Sequence, residues 1–126
     1  MKYYFLLIFI LMLIVGCSST KNAVRKSFSE KEAKLIMNAD SSNPMRVYKI
    51  NSKKDSLLLR TKSNYIKPNP KDPILRNFVK RLYATVRDSM SMGVGIAAPQ
   101  VGILKNIIWV QRFDKVNFPF EVYLNP

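Results

Sequence analysis

The chain has 126 residues, 48% of them apolar, with 21 Lys/Arg against 8 Asp/Glu and a net charge of +13. That composition suits one small ordered domain plus an extra segment and excludes a disordered chain. There is no histidine and a single cysteine, Cys17. An internal disulfide is therefore excluded, and the commonest general base and metal ligand is missing. The basic residues are spread out, with no Lys/Arg block and no interleaved stacking aromatics. No nucleic-acid partner is expected; a generally basic surface near a membrane is.

Residues 1–16 read as an address. Met1-Lys2 precedes an apolar run from Tyr3 to Val15, then Gly16-Cys17-Ser18-Ser19-Thr20. The run is too short for a bilayer-spanning helix, which needs about 20 residues. A positive start, a short apolar run and a small residue before the cut define a secretory signal. Ile14-Val15-Gly16-Cys17 resembles a lipobox, which implies cleavage before Cys17 and lipidation of its thiol. A plain signal peptide, or a buried apolar N-terminus, with an incidental cysteine is the competing reading. The lipobox implies a bacterial cell-envelope protein, membrane-anchored through lipid on Cys17.

Residues 17–27 then form a tether and 28–56 an N-terminal extension. Within the extension, a short helix is expected over Glu30–Asn38. Ser29 would be its N-cap, and Ala33, Ile36 and Met37 its apolar side. Met45–Ile50 alternates like a strand, and residues 51–56 read as a polar turn. Asp72-Pro73 opens the clearest element, since Asp caps and Pro tolerates the first helical position. Ile74, Leu75, Phe78, Val79, Leu82, Tyr83 and Val86 make one apolar face of about four turns. Arg76, Lys80, Arg81, Arg87 and Asp88 occupy the rest, expected to be solvated. A loop over Ser89–Gly93 follows. Ile107–Val110 reads as a buried strand, Asp114–Pro119 as a loop and Phe120–Leu124 as a second strand.

Two readings compete for Gly93–Gly102. Gly93, Gly95 and Ala98 fit the dinucleotide fingerprint, with Asp114 about 20 residues on as its acid. That fingerprint must leave a strand and open a helix. Here a helix precedes it, and Pro99 and Gly102 oppose one after it.

The other reading rests on Gly93-Val94-Gly95-Ile96-Ala97-Ala98-Pro99-Gln100-Val101-Gly102. This run closely resembles the first signature of the peptide deformylases. Leu59-Arg60, the amphipathic helix, the strand after the signature and Leu124-Asn125-Pro126 match family features in the right order. The resemblance covers residues 57–126. It implies an α+β, peptide-deformylase-like fold that is incomplete: an amphipathic helix followed by antiparallel strands, with the C-terminal metal-binding helix absent. It implies metal-dependent removal of formyl groups from formyl-methionyl peptides, releasing formate. Gln100 would stabilise the oxyanion, and Val94 and Gly95 would line the formylated peptide substrate with backbone hydrogen bonds. The complete family domain would hold Fe2+ (or Zn2+ or Ni2+) through two further signatures, E-G-C-x-S and H-E-x-x-H. Neither is present, so no metal ligand is expected in this chain. The chain is expected to be a fragment or truncated form, inactive alone. The alternative is a non-catalytic, membrane-anchored peptide-binding or structural lipoprotein.

Overall fold

The computed structural model describes residues 27–88 and 92–126. The signal peptide, Cys17 and the tether up to residue 26 lie outside them, as does part of the loop before Gly93.

Helix α1 spans Glu30–Met37. Ser29 Oγ accepts the Glu32 N–H at 3.2 Å, and the Glu32 carboxylate accepts the Ser29 N–H at 2.8 Å. This capping box satisfies two helix-end donors reciprocally. Ile36 is fully buried, but Met37 is 51% exposed. The buried side is turned back by one residue, so that Leu35 packs on the core in its place.

Two expectations fail in the next stretch. Met45–Ile50 forms no strand. Its backbone meets single partners instead of a ladder: Met45 N–H donates to Thr85 Oγ1 at 2.8 Å, and Tyr48 N–H to the Gln100 carbonyl at 2.7 Å. Nor are residues 51–56 a polar turn, because Ser52 caps helix α2, Lys53–Leu59. The Asp55 carboxylate on its first turn is buried, accepting from Arg46 Nη2 at 2.9 Å and from the Lys49 N–H at 3.4 Å. A seven-residue helix with a polar first turn shows no periodicity to read.

Helix α3, Pro73–Val86, begins where expected, with Asp72 Oδ1 accepting the Ile74 N–H at 2.9 Å. Leu75, Phe78, Leu82 and Val86 are buried, and Phe28 meets the Phe78 ring edge-on at 5.8 Å. Tyr83 lies at the margin of the face, its ring tilted against Trp109 with centroids 4.8 Å apart.

The basic side is not wholly solvated: Arg81 is only 4% exposed. The carbonyls at the end of α1 need donors, and Arg81 supplies them. Its Nη1 donates to Leu35 O at 3.1 Å, Ile36 O at 2.8 Å and Asn38 Oδ1 at 2.8 Å, while Nε donates to Asn43 O at 3.0 Å. Burial draws its pKa below the ordinary guanidinium value, opposed by the Asp40 charge.

Three antiparallel strands complete the α+β fold: β1 (Gly95–Ala97), β2 (Ile107–Gln111) and β3 (Phe120–Leu124), in the order β1-β2-β3. Ile96 faces Trp109, and Trp109 faces Val122. Of β2, Ile107 is fully buried and the rest only partly, so it is less buried than its apolar run suggests. Ile96, Ala98, Val101, Ile103 and Ile107 join α3, Phe28, Ile36, Met45 and Ile66 in one core.

Candidate active site

The glycine-rich segment leaves α3, forms β1 and turns through a short 3-10 helix, Ala98–Val101. Strand β1 leads into a single four-residue 3-10 turn and not into an α-helix whose N-terminus could meet a pyrophosphate, so the dinucleotide geometry is not met. Gly93 sits where an added Cβ would lie 3.1 Å from Val86 Cγ2 and 3.3 Å from Val86 O. Gly102 has φ +84°, and its added Cβ would lie 3.0 Å from the Tyr48 ring. Only glycine meets both demands there without strain.

Among the described residues, strand β1 pairs with β2 on one side only. Val94 O accepts the Gln111 N–H at 2.7 Å, while the Ala97 N–H donates to Gln100 Oε1 at 2.8 Å. Residues alternate in the direction of their N–H and C=O groups. Val94 and Ile96 therefore turn toward β2, and Gly95 and Ala97 toward the outer edge. What Val94 offers the surface is its side chain, 56% exposed. A side chain at position 95 would also press on β2, its Cβ 3.2 Å from Trp109 O.

Gln100 is exposed at the end of this edge. Its Oε1 is occupied by the Ala97 N–H, which orients the amide so that the NH2 group remains as a donor beside β1. The turn beneath it is held from outside. Tyr48 N–H takes the Gln100 carbonyl, Gly102 N–H donates to Pro99 O at 3.0 Å and Ile103 N–H to Ala98 O at 3.1 Å.

Two supporting residues escaped the sequence reading. Tyr48 carried no signal, because its role depends on a contact 52 positions away (100 − 48). Asn125 did sit in a recognisable run, Leu124-Asn125-Pro126. It takes φ +58°, and its side-chain amide acts as a strand partner for Ile66. Oδ1 accepts the Ile66 N–H at 2.9 Å, and Nδ2 donates to Ile66 O at 3.0 Å.

The chain has no histidine, and its one thiol, Cys17, lies outside the described residues. Among the described residues no three His, Cys, Asp or Glu side chains come together as a ligand set.

Comparison with known proteins points one way. The polypeptide deformylase family model matches residues 45–126. Two curated relatives from Prochlorococcus marinus, strains NATL2A and NATL1A, are each named peptide deformylase. Both are 33% identical over 107 residues, covering 84% of this chain and 48% of theirs. The chain thus spans about half the length of the curated relatives it matches. A solved peptide deformylase from Synechococcus elongatus, in complex with actinonin, shares 24% identity. It overlaps with a TM-score of 0.48, over 69% of this chain and 46% of that one.

Proposed function

The chain belongs to the polypeptide deformylase family, and from that premise we propose that it supplies the peptide-binding edge and one oxyanion donor of a metal-dependent deformylase. The whole protein would hydrolyse the N-formyl group of formyl-methionyl peptides and release formate. The observation that carries this reading is the open edge of β1 with the Gln100 amide at its end. A peptide adds there as a further strand, pairing with the outward N–H and C=O of Gly95. Val94 offers its side chain to the same ligand. At the end of the strand the Gln100 NH2 donates to the formyl oxygen. Its hold strengthens as that oxygen gains charge, the usual source of a catalytic gain at such a donor.

In the family, Fe2+ (or Zn2+ or Ni2+) supplies the activated water. The described residues bring together no ligand set for that ion, so no step is assigned to it here. The second reading for the chain taken alone is a non-catalytic, membrane-anchored peptide-binding or structural lipoprotein. Extending the reading frame beyond Pro126 and assaying formate release from a formyl-Met peptide separates the two. Chelator-sensitive release by the extended protein supports the enzyme. A full-length product that binds the peptide without releasing formate supports the second.

The lipobox reading adds a bacterial cell-envelope location. Expressed in a bacterium, the chain should take up labelled fatty acid, and Cys17→Ser should abolish the label. Equal labelling of the serine variant would refute the anchor.

A further inference from the structure

Beside Ser27 lies a segment that carries four exposed basic residues and no acidic one. Residues 60–71 form an extended strap between α2 and α3. Arg60, Lys62, Lys67 and Lys71 on it are all exposed, and no acidic residue lies between Arg60 and Lys71. Asp72, just beyond, is engaged as the N-cap of α3. Tyr65, in the middle of the strap, is 75% exposed. The strap is held in place from the inside. Ile66 is buried and clasped by Asn125, and Asn64 N–H donates to Leu104 O at 3.0 Å. The described chain begins on this strap, with Ser27 Oγ donating to Lys67 O at 2.9 Å.

Cys17 and Ser27 are ten residues apart (27 − 17), and Lys21, Arg25 and Lys26 lie between them. Ten residues reach at most about 35 Å. A lipid on Cys17 would therefore keep the strap within reach of the bilayer. We propose that the strap Arg60–Lys71 is the face this protein lays on its membrane, binding anionic phospholipid headgroups beside the lipid anchor. The proposal rests on the lipobox reading of Cys17.

The chemistry matches. Clustered Lys/Arg next to a membrane anchor bind an anionic leaflet additively, and the attraction dies within a Debye length of about 8 Å. Tyr65 is amphipathic, the kind of ring that settles at headgroup level. The four basic side chains on the strap act together. Glu30, exposed near Ser27, is the opposing charge, with Lys31 beside it. Lys105 is not counted, because its Nζ lies 3.7 Å from the Glu32 carboxylate. The hairpin between β2 and β3 lies away from this face: Asn64 bridges Lys105 before β2 begins, whereas Lys115 lies beyond its far end.

The test uses the full chain, purified from bacterial membranes and reconstituted in phosphatidylcholine vesicles with or without about 30 mol % phosphatidylglycerol. Amine acylation read by mass spectrometry should show Lys62, Lys67 and Lys71 protected about fivefold in the anionic vesicles, relieved by about 0.5 M NaCl. Lys115 should react equally in both. Lys62→Gln/Lys67→Gln/Lys71→Gln, an exposed triple change, should leave the Tyr65 ring equally reactive to iodination in both vesicles, where the unaltered chain shows it shielded by the anionic lipid. Equal acylation of the strap in both vesicles, or equal protection of Lys115, overturns the proposal. The mass of the Cys17 peptide reads the anchor separately. An unmodified Cys17 with the strap still protected refutes the lipobox and keeps the surface. A lipidated Cys17 with an unprotected strap does the reverse.

Discussion

The glycine-rich segment and the β2–β3 hairpin are neighbours in one sheet, but they are held in opposite ways. The hairpin is self-contained. Arg112 forms an ion pair with Asp114, reaches Glu121 at 3.1 Å and bonds Tyr123 Oη. Lys115 closes on the other Glu121 oxygen. All of these contacts fall within residues 112–123, on the surface. The glycine-rich segment is braced from far away along the chain. Arg81 and Thr85 on α3 hold Asn43 and Met45, and three residues later Tyr48 takes the Gln100 carbonyl and covers Gly102. The difference teaches where the site is vulnerable: at buried groups that never touch a peptide, and not at the charged cluster beside it.

The largest effect should come from Arg81→Ala. It removes the guanidinium donor from Leu35 O and Asn43 O, Ile36 O keeping Asn77 Nδ2 at 3.0 Å, and should cost about 3 kcal/mol in chemical denaturation. A loss under about 1 kcal/mol would mean that water replaces the guanidinium readily and that the brace is weak. Gly102→Ala comes next. A left-handed backbone and the Tyr48 ring together should cost about 2 kcal/mol. In a Tyr48→Ala background the same change should cost less, and additive costs would break the proposed contact. Arg112→Ala should be the smallest, leaving the thermal midpoint nearly unchanged because its pairs lie at the surface, partly open to solvent.

The hairpin cluster has its own signature in pH. The Arg112 guanidinium holds the Asp114 carboxyl down at about 2, against an ordinary value of 3.8. A folded pKa below the unfolded one means stability that is present above pH 3.8 and fades as pH falls toward 2. The Asp114 carboxyl resonance should titrate near 2 and return toward 3.8 in Arg112→Ala. An unmoved midpoint would show that the ion pair does not form in solution.

The same contrast marks how much was legible in the sequence. Helices α1 and α3 were readable because caps and apolar periodicity are local, and β2 and β3 because their runs are bounded by turns. The residues of the signature segment were readable too. Met45–Tyr48 was not, since its conformation follows from partners 40 to 52 positions distant at Thr85 and Gln100, and α2 was not, since seven residues with a polar first turn show no periodicity. Nor was the burial of Arg81, a basic residue on a helix whose neighbours Arg76 and Lys80 are solvated. The docking of Ser27 on the strap was hidden for the same reason, since its contact with Lys67 joins positions 40 apart.

The central claim concerns Gln100, and the kinetics of Gln100→Ala in the completed enzyme test it most directly. The amide NH2 should favour the transition state over bound substrate. Its loss should lower kcat by about 10²- to 10³-fold while KM and metal content stay nearly constant. A kcat within about threefold of the parent, with KM raised steeply, would make Gln100 a substrate-positioning residue and contradict the oxyanion assignment.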